Sequence, residues 1–132
     1  MSSIANIAIA DGASTPVTHT FVPLQTTPAA VWMDSDAAKA FTASQFTITN
    51  SIKRGNSSKG VDRVKFTVVL PTMGTGVSLP ASEVDYSDTA IIEFILPKRG
   101  LKQGRKDLRT LVKNLLADAQ VIDIVDELRS AY

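Results

Sequence analysis

A chain of 132 residues is enough for one domain, which at that size buries roughly two-thirds of its unfolded surface. With 44% hydrophobic and 20% charged residues it is globular rather than disordered, and without cysteine it has neither disulfides nor thiolate metal sites. A net charge of +1 does not by itself indicate nucleic acid, no apolar run reaches the ~20 residues of a membrane helix, and the N-terminus lacks the charged and apolar regions of a signal peptide.

The distribution of charge is more informative than its sum. Met1 to Ala38 contains no Lys or Arg, whereas Lys53, Arg54, Lys59, Arg63 and Lys65 lie close together against the single acid Asp62. A second basic run comprises Lys98, Arg99, Lys102, Arg105, Lys106 and Arg109, with Asp107 inside it. For an arbitrary protein such runs are usually solvated surface.

In chain order, Ile4, Ile7 and Ile9 lead to the turn pair Asp11-Gly12, and Val17 to Val22 completes an N-terminal β-hairpin. Pro23 to Pro28 reads as a connector, Ala29 to Met33 as a short strand carrying Trp32, and Asp34 to Ala40 as a turn or loop. Phe46, Ile48 and Ile52 alternate with Gln45, Thr47, Thr49, Ser51 and Lys53, broken at Asn50. After the loop Gly55 to Gly60, Val64, Phe66, Val68 and Leu70 alternate with Arg63, Lys65 and Thr67. Period-two alternation assigns the apolar set to the core and gives the opposite face threonine, lysine and arginine. Pro71 ends that strand, Thr72 to Ser82 is a loop with Gly74, Gly76 and Pro80, and Thr89 to Leu96 is an apolar strand interrupted by Glu93 and closed by Pro97.

Two helices follow. Leu108, Leu111, Val112, Leu115 and Leu116 share one helical face, and Val121, Ile122, Val125 and Leu128 form a second stripe. Strands first and helices last indicate an α+β fold with helices on one face of an antiparallel sheet. Helices ~10 Å wide over strands ~4.8 Å apart cover about four strands, fewer than the six or seven expected from the sequence. A partner chain is therefore expected over the remaining apolar face.

No catalytic constellation emerges. His19 is the only histidine, no Gly-x-Ser-x-Gly elbow supports a hydrolase, and the glycine loops lack the Gly-Lys-Ser/Thr ending of a phosphate loop. Asp123, Asp126 and Glu127 lie on the polar side of the last helix. His19 is expected to be structural or at the surface, and no metal, cofactor or small-molecule substrate is implied. The Thr/Lys/Arg face suits RNA, since cations meet phosphates and hydroxyls donate to and accept from base edges.

The segments Thr15 to Pro23, Ala30-Val31-Trp32-Met33, Phe46-Thr47-Ile48-Thr49, Gly76-Val77-Ser78-Leu79-Pro80, Pro97 to Leu116 and Val121 to Tyr132 resemble, in order and spacing, the coat proteins of the single-stranded RNA bacteriophages, the leviviruses. The resemblance spans nearly the whole chain, as one coat-protein domain. It implies an N-terminal hairpin, a five-stranded antiparallel sheet and two C-terminal helices, in an intertwined homodimer whose helices lie over the partner's sheet. Leu108, Leu111, Val112, Leu115, Leu116 and Val125 would then form the dimer interface. Dimers would build a quasi-equivalent icosahedral shell, the virion, assembled in the host bacterial cytoplasm. Gly74, Gly76 and Pro80 would belong to the loop between dimers. The sheet would face the genomic single-stranded RNA and bind an operator hairpin, repressing replicase translation. By the resemblance, Thr47 and Thr49 match adenine-pocket positions, Lys65 and Thr67 the facing strand's pocket positions, Arg63 a phosphate contact, and Ser51 or Lys53 another. Thr89 stands where one branch stacks a tyrosine, with Tyr86 three positions earlier, and Ile91 replaces a polar base contact. The alternative is an RNA-binding regulatory dimer that forms no shell.

Overall fold

The structure, a computed structural model, describes residues 4–35 and 42–130. Its strands are β1 (Ile7–Ala10), β2 (Thr18–Gln25), β3 (Ala30–Asp34), β4 (Thr47–Lys53), β5 (Val61–Met73) and β6 (Val84–Pro97), followed by helices α1 (Lys102–Leu116) and α2 (Ala119–Glu127). The strands form one antiparallel sheet in chain order. This corrects the expectation of a hairpin beside a five-stranded sheet: the described residues form six strands, and the hairpin is continuous with the rest. The connector expected at Pro23 is instead strand. β2 runs to Gln25, pairs Phe21 with Asp34 and Val22 with Met33, and absorbs the proline region in a register shift between Pro23 and Gln25. Beyond Ser35, the loop expected over 34–40 lies outside the described residues.

Pro71 does not end β5, which continues to Met73 opposite β6. The ladder to β4 stops at the Thr47–Val69 pair, so beyond it β5 is paired on one side only, the setting in which a strand tolerates proline. β6 correspondingly begins at Val84, earlier than its apolar run.

Cross-strand partners share a face. One face carries Phe21, Trp32, Ile48, Asn50, Ile52, Val64, Phe66, Val68, Phe94 and Leu96. Asn50, which breaks the apolar series, donates from Nδ2 to the Lys65 carbonyl on the neighbouring strand at 3.2 Å. Of the described apolar side chains only Phe21 and Ile48 are fully buried.

His19 ties the hairpin to the sheet. Its Nδ1 lies 2.9 Å from Asp34 Oδ2 and its Nε2 2.8 Å from Asp11 Oδ2. A neutral imidazole donates from only one nitrogen, so two carboxylates favour the imidazolium. Hydrogen bonds to Asp11, then to Asp34, raise the His19 pKa above its usual value. The backbone N–H of Val17, helped by His19 and the Ala13 N–H, lowers Asp11 to about 2. The His19 contribution is complete below the ordinary histidine pKa of about 6.5 and is lost as pH rises through the higher folded value. The Asp11 contribution is complete above about 4 and fades as pH falls toward the depressed value. Thermal denaturation across pH 5 to 9 should therefore show a falling Tm on the alkaline side, and His19→Gln should flatten that fall. Parallel wild-type and variant curves would remove His19 as the cause.

The helices do not cover their own sheet. α1 and α2 touch each other only slightly, and neither packs extensively on the strands. Leu108, Leu111, Leu115, Leu116 and Val125 are exposed, Leu111 at 66%, and Val112 is half-buried. The chain exposes 10035 Å², whereas a compact monomer of 14.1 kDa exposes about 6,700 Å². Among the described residues no helix is long and apolar enough to cross a membrane.

Candidate nucleic-acid interface

The opposite face of β4, β5 and β6 is organised in rows fixed by register. Thr47, Val69 and Thr89 form one row. Thr49, Thr67 and Ile91 form the next, followed by Ser51, Lys65 and Glu93, and then by Lys53, Arg63 and Ile95. Strand β3 extends the first two rows with Met33 and Val31. All eight candidate residues, Thr47, Thr49, Ser51, Lys53, Arg63, Lys65, Thr67 and Thr89, thus share one surface. The threonines of β4 and β5 are half-buried between neighbours, while Ser51, Lys53, Arg63, Lys65 and Thr89 are exposed. The result is a hydroxyl-lined patch at one end and a cationic patch at the other.

Two further features shape this face. Glu93 reads in the sequence only as an interruption of an apolar strand. Register places it beside Lys65, and its Oε1 accepts from Arg63 Nη1 at 3.3 Å. Both side chains are substantially exposed, so the pair contributes little to stability, yet it offsets one of three cations. Ile91 and Ile95 give the β6 strip an apolar surface, 60% and 52% exposed. Tyr86 pairs with Thr72 and lies on the other face, so it does not replace a stacking tyrosine at Thr89.

The second basic run lies on the far side of the sheet. Lys98 pairs with Asp62 at 3.1 Å, where hydrogen bonds from the Gly55 N–H and then Lys98 lower the carboxyl pKa. Lys102, Arg105, Lys106 and Arg109 line a groove with Val64, Phe66, Phe94 and Leu96.

The loop between β5 and β6 is built by backbone pairing. The Gly74 N–H donates to the Glu83 carbonyl, Gly76 to Leu79, and Glu83 to Pro80. Gly76 has φ +85°, a left-handed conformation suited to glycine. A side chain on Gly74 would meet the Pro80 and Leu79 carbonyls at 2.5 and 2.7 Å.

No curated protein matches the sequence. Among solved structures, the virus-like particle of bacteriophage ESE058 is similar at 28% identity and TM-score 0.87, covering 99% of this chain and 100% of that one. The virus-like particle of bacteriophage NT-214 is similar at 28% identity and TM-score 0.81, with the same coverage. The bacteriophage GA protein capsid shares the fold at 16% identity and TM-score 0.67, covering 92% of this chain and 93% of that one. Residues 2–132 match the family described as Levivirus coat protein. Sequence and fold agree from end to end, and the chain belongs to the levivirus coat protein family, whose members are structural capsid proteins and not enzymes.

Proposed function

We propose that the chain acts as a single coat-protein domain that dimerises, assembles into an icosahedral shell in the host bacterial cytoplasm, and contacts genomic RNA on the Thr/Lys/Arg face. The observation that carries the reading is the match to the levivirus coat protein family over residues 2–132 together with the full-length likeness to the virus-like particle of bacteriophage ESE058. Dimerisation is supported by surface area. The chain exposes about 3,300 Å² more than a compact monomer of its mass, ample for the ~2,000–5,000 Å² total that obligate homodimers bury. It is supported also by β6, a 14-residue strand at the sheet edge whose stretch from Ala90 to Leu96 is apolar apart from Glu93, a position that natural proteins cover or pair. In this reading Leu108, Leu111, Val112, Leu115, Leu116 and Val125 bury against the partner, and the loop carrying Gly74, Gly76 and Pro80 lies between dimers.

RNA contact is supported by the shared surface of Lys53, Arg63 and Lys65, which suit phosphates, and of Thr47, Thr49 and Thr67, which suit base edges. The same face serves as the operator surface through which replicase translation is repressed. Arg63→Ala and Lys65→Ala should each weaken RNA binding and flatten its dependence on log salt by ~0.7 per lost contact. Glu93→Gln, which frees Arg63 and removes a negative charge, should tighten binding and steepen that dependence by up to ~0.7. Titrating the wild type and these variants with a labelled single-stranded RNA at several salt concentrations reads all three. Unchanged slopes in every variant would move the RNA site off this face.

A further inference from the structure

The first strand is held to the sheet by little. β1 is four residues long and pairs with β2 alone, through Ile7–Phe21, Ala8–Thr20, Ile9–His19 and Ala10–Thr18. Three of its four residues are exposed. A short edge strand with few buried contacts opens at low cost, so the bonds at its two ends decide whether it stays. Before β1, the Ala5 carbonyl accepts from Trp32 Nε1 on β3 at 2.8 Å. After β1, Asp11 meets His19 Nε2, whose ring reaches on through Nδ1 to Asp34 at the end of β3.

The two ties differ in kind. The Trp32–Ala5 bond joins neutral groups and does not titrate. The His19 bridge needs both ring nitrogens to donate, which only the imidazolium does. Among the described residues the titratable groups facing His19 are Asp11, on the turn after β1, and Asp34 on β3. β1 itself sets Ile9 opposite His19, and the ring of Phe46, before β4, lies 5.4 Å away. Deprotonation leaves the ring one N–H for two carboxylates. Asp34 is 1% exposed and has little water to replace that donor. The Asp11 side chain is 34% exposed, and its Oδ1 keeps the N–H groups of Ala13 and Val17. An unsatisfied buried carboxylate costs more than an exposed one, so the remaining proton stays on Nδ1 toward Asp34. The Nε2 lone pair then faces Asp11 Oδ2 across 2.8 Å, and two acceptors at that distance repel.

We propose that His19 is a proton-operated latch on β1: charged, it pins the strand to the sheet, and neutral, it releases the Asp11 end, so that β1 swings on the Trp32–Ala5 bond and uncovers the edge of β2. The latch is closed below the ordinary histidine value of about 6.5 and opens as pH rises through the folded value, which Asp11 and then Asp34 raise. Opening is confined to the hairpin, so it precedes any loss of the β4–β5 ladder. Backbone hydrogen exchange of the purified full chain, corrected for the intrinsic rate at each pH, tests this. Between pH 6 and pH 9, protection of Ile7 to Ala10 should fall by roughly five- to tenfold, the loss of one partly exposed hydrogen bond to a charged group, while Thr47 to Lys53 keeps its protection. His19→Gln, which carries no charge, should leave β1 poorly protected at both pH values. His19→Lys, which keeps a cation well beyond pH 9, should leave it protected at both. Constant β1 protection in the wild type would overturn the proposal. So would a Lys variant that behaves like the Gln variant, or an equal fall in β1 and β4, which would mark global unfolding in place of a latch.

Discussion

Leu115→Asp is expected to abolish dimerisation and, with it, particle formation. Leu115 is 56% exposed on one chain, beside Leu111 at 66% and Leu116 at 54%. On a monomer a charge at such a position would cost nothing and would even improve solubility. Under a partner's sheet the carboxylate has no cation or donor to replace its water, and burial without a partner costs several kcal/mol. Asn114→Asp, one residue earlier and on the other side of α1, introduces the same charge and should stay within about 0.5 kcal/mol. Sedimentation of the two variants beside the wild type separates the effects. A dimeric Leu115→Asp protein would refute burial of this helix face, and equal loss in both variants would indicate damage to α1 itself.

Phe21→Ala is expected to cost about 3–5 kcal/mol of stability. Phe21 is 3% exposed, and among the described residues only Ile48 joins it as a fully buried apolar side chain. It stands opposite Ile7 on one side and Asp34 on the other, so its loss opens the seam that makes the hairpin part of the sheet. With total stabilities of about 5–15 kcal/mol for typical domains, that loss is a large share. Val77→Ala, at a position 92% exposed, should change stability by less than about 0.5 kcal/mol. Denaturant titration at one fixed protein concentration checks both, because the apparent stability of a dimer depends on concentration. A Phe21→Ala midpoint equal to that of Val77→Ala would show that the hairpin seam contributes little.

The central hairpin was legible because β4 and β5 each bury one face, and a period of two then writes the fold into the residue order. Thr47, Thr49, Lys65 and Arg63 fell on their observed surface for that reason. The ends of the long strands were not legible. Asp85 to Asp88 carry no apolar alternation, and Pro71 opposes a strand locally, yet backbone bonds between β5 and β6 extend both. Pro23 misled for a related reason, since a register shift accommodates it. Ile91 was placed only by the family resemblance, and Glu93 not until the β5–β6 register was known, because a nearly continuous apolar run does not reveal which residues face which side. Asn50 and His19 were visible as exceptions, but their partners, the Lys65 carbonyl and the Asp11 and Asp34 carboxylates, are distant in sequence. The first stripe falls on α1, whereas Leu128 of the second lies past the end of α2, in a left-handed conformation, and neither helix packs extensively on the strands of its own chain.

Shell formation is tested most directly by electron microscopy of the purified, expressed protein, with and without added single-stranded RNA. The expected result is closed particles of uniform diameter. A protein that remains a soluble dimer under every assembly condition, RNA included, would contradict shell formation and leave an RNA-binding dimer in its place.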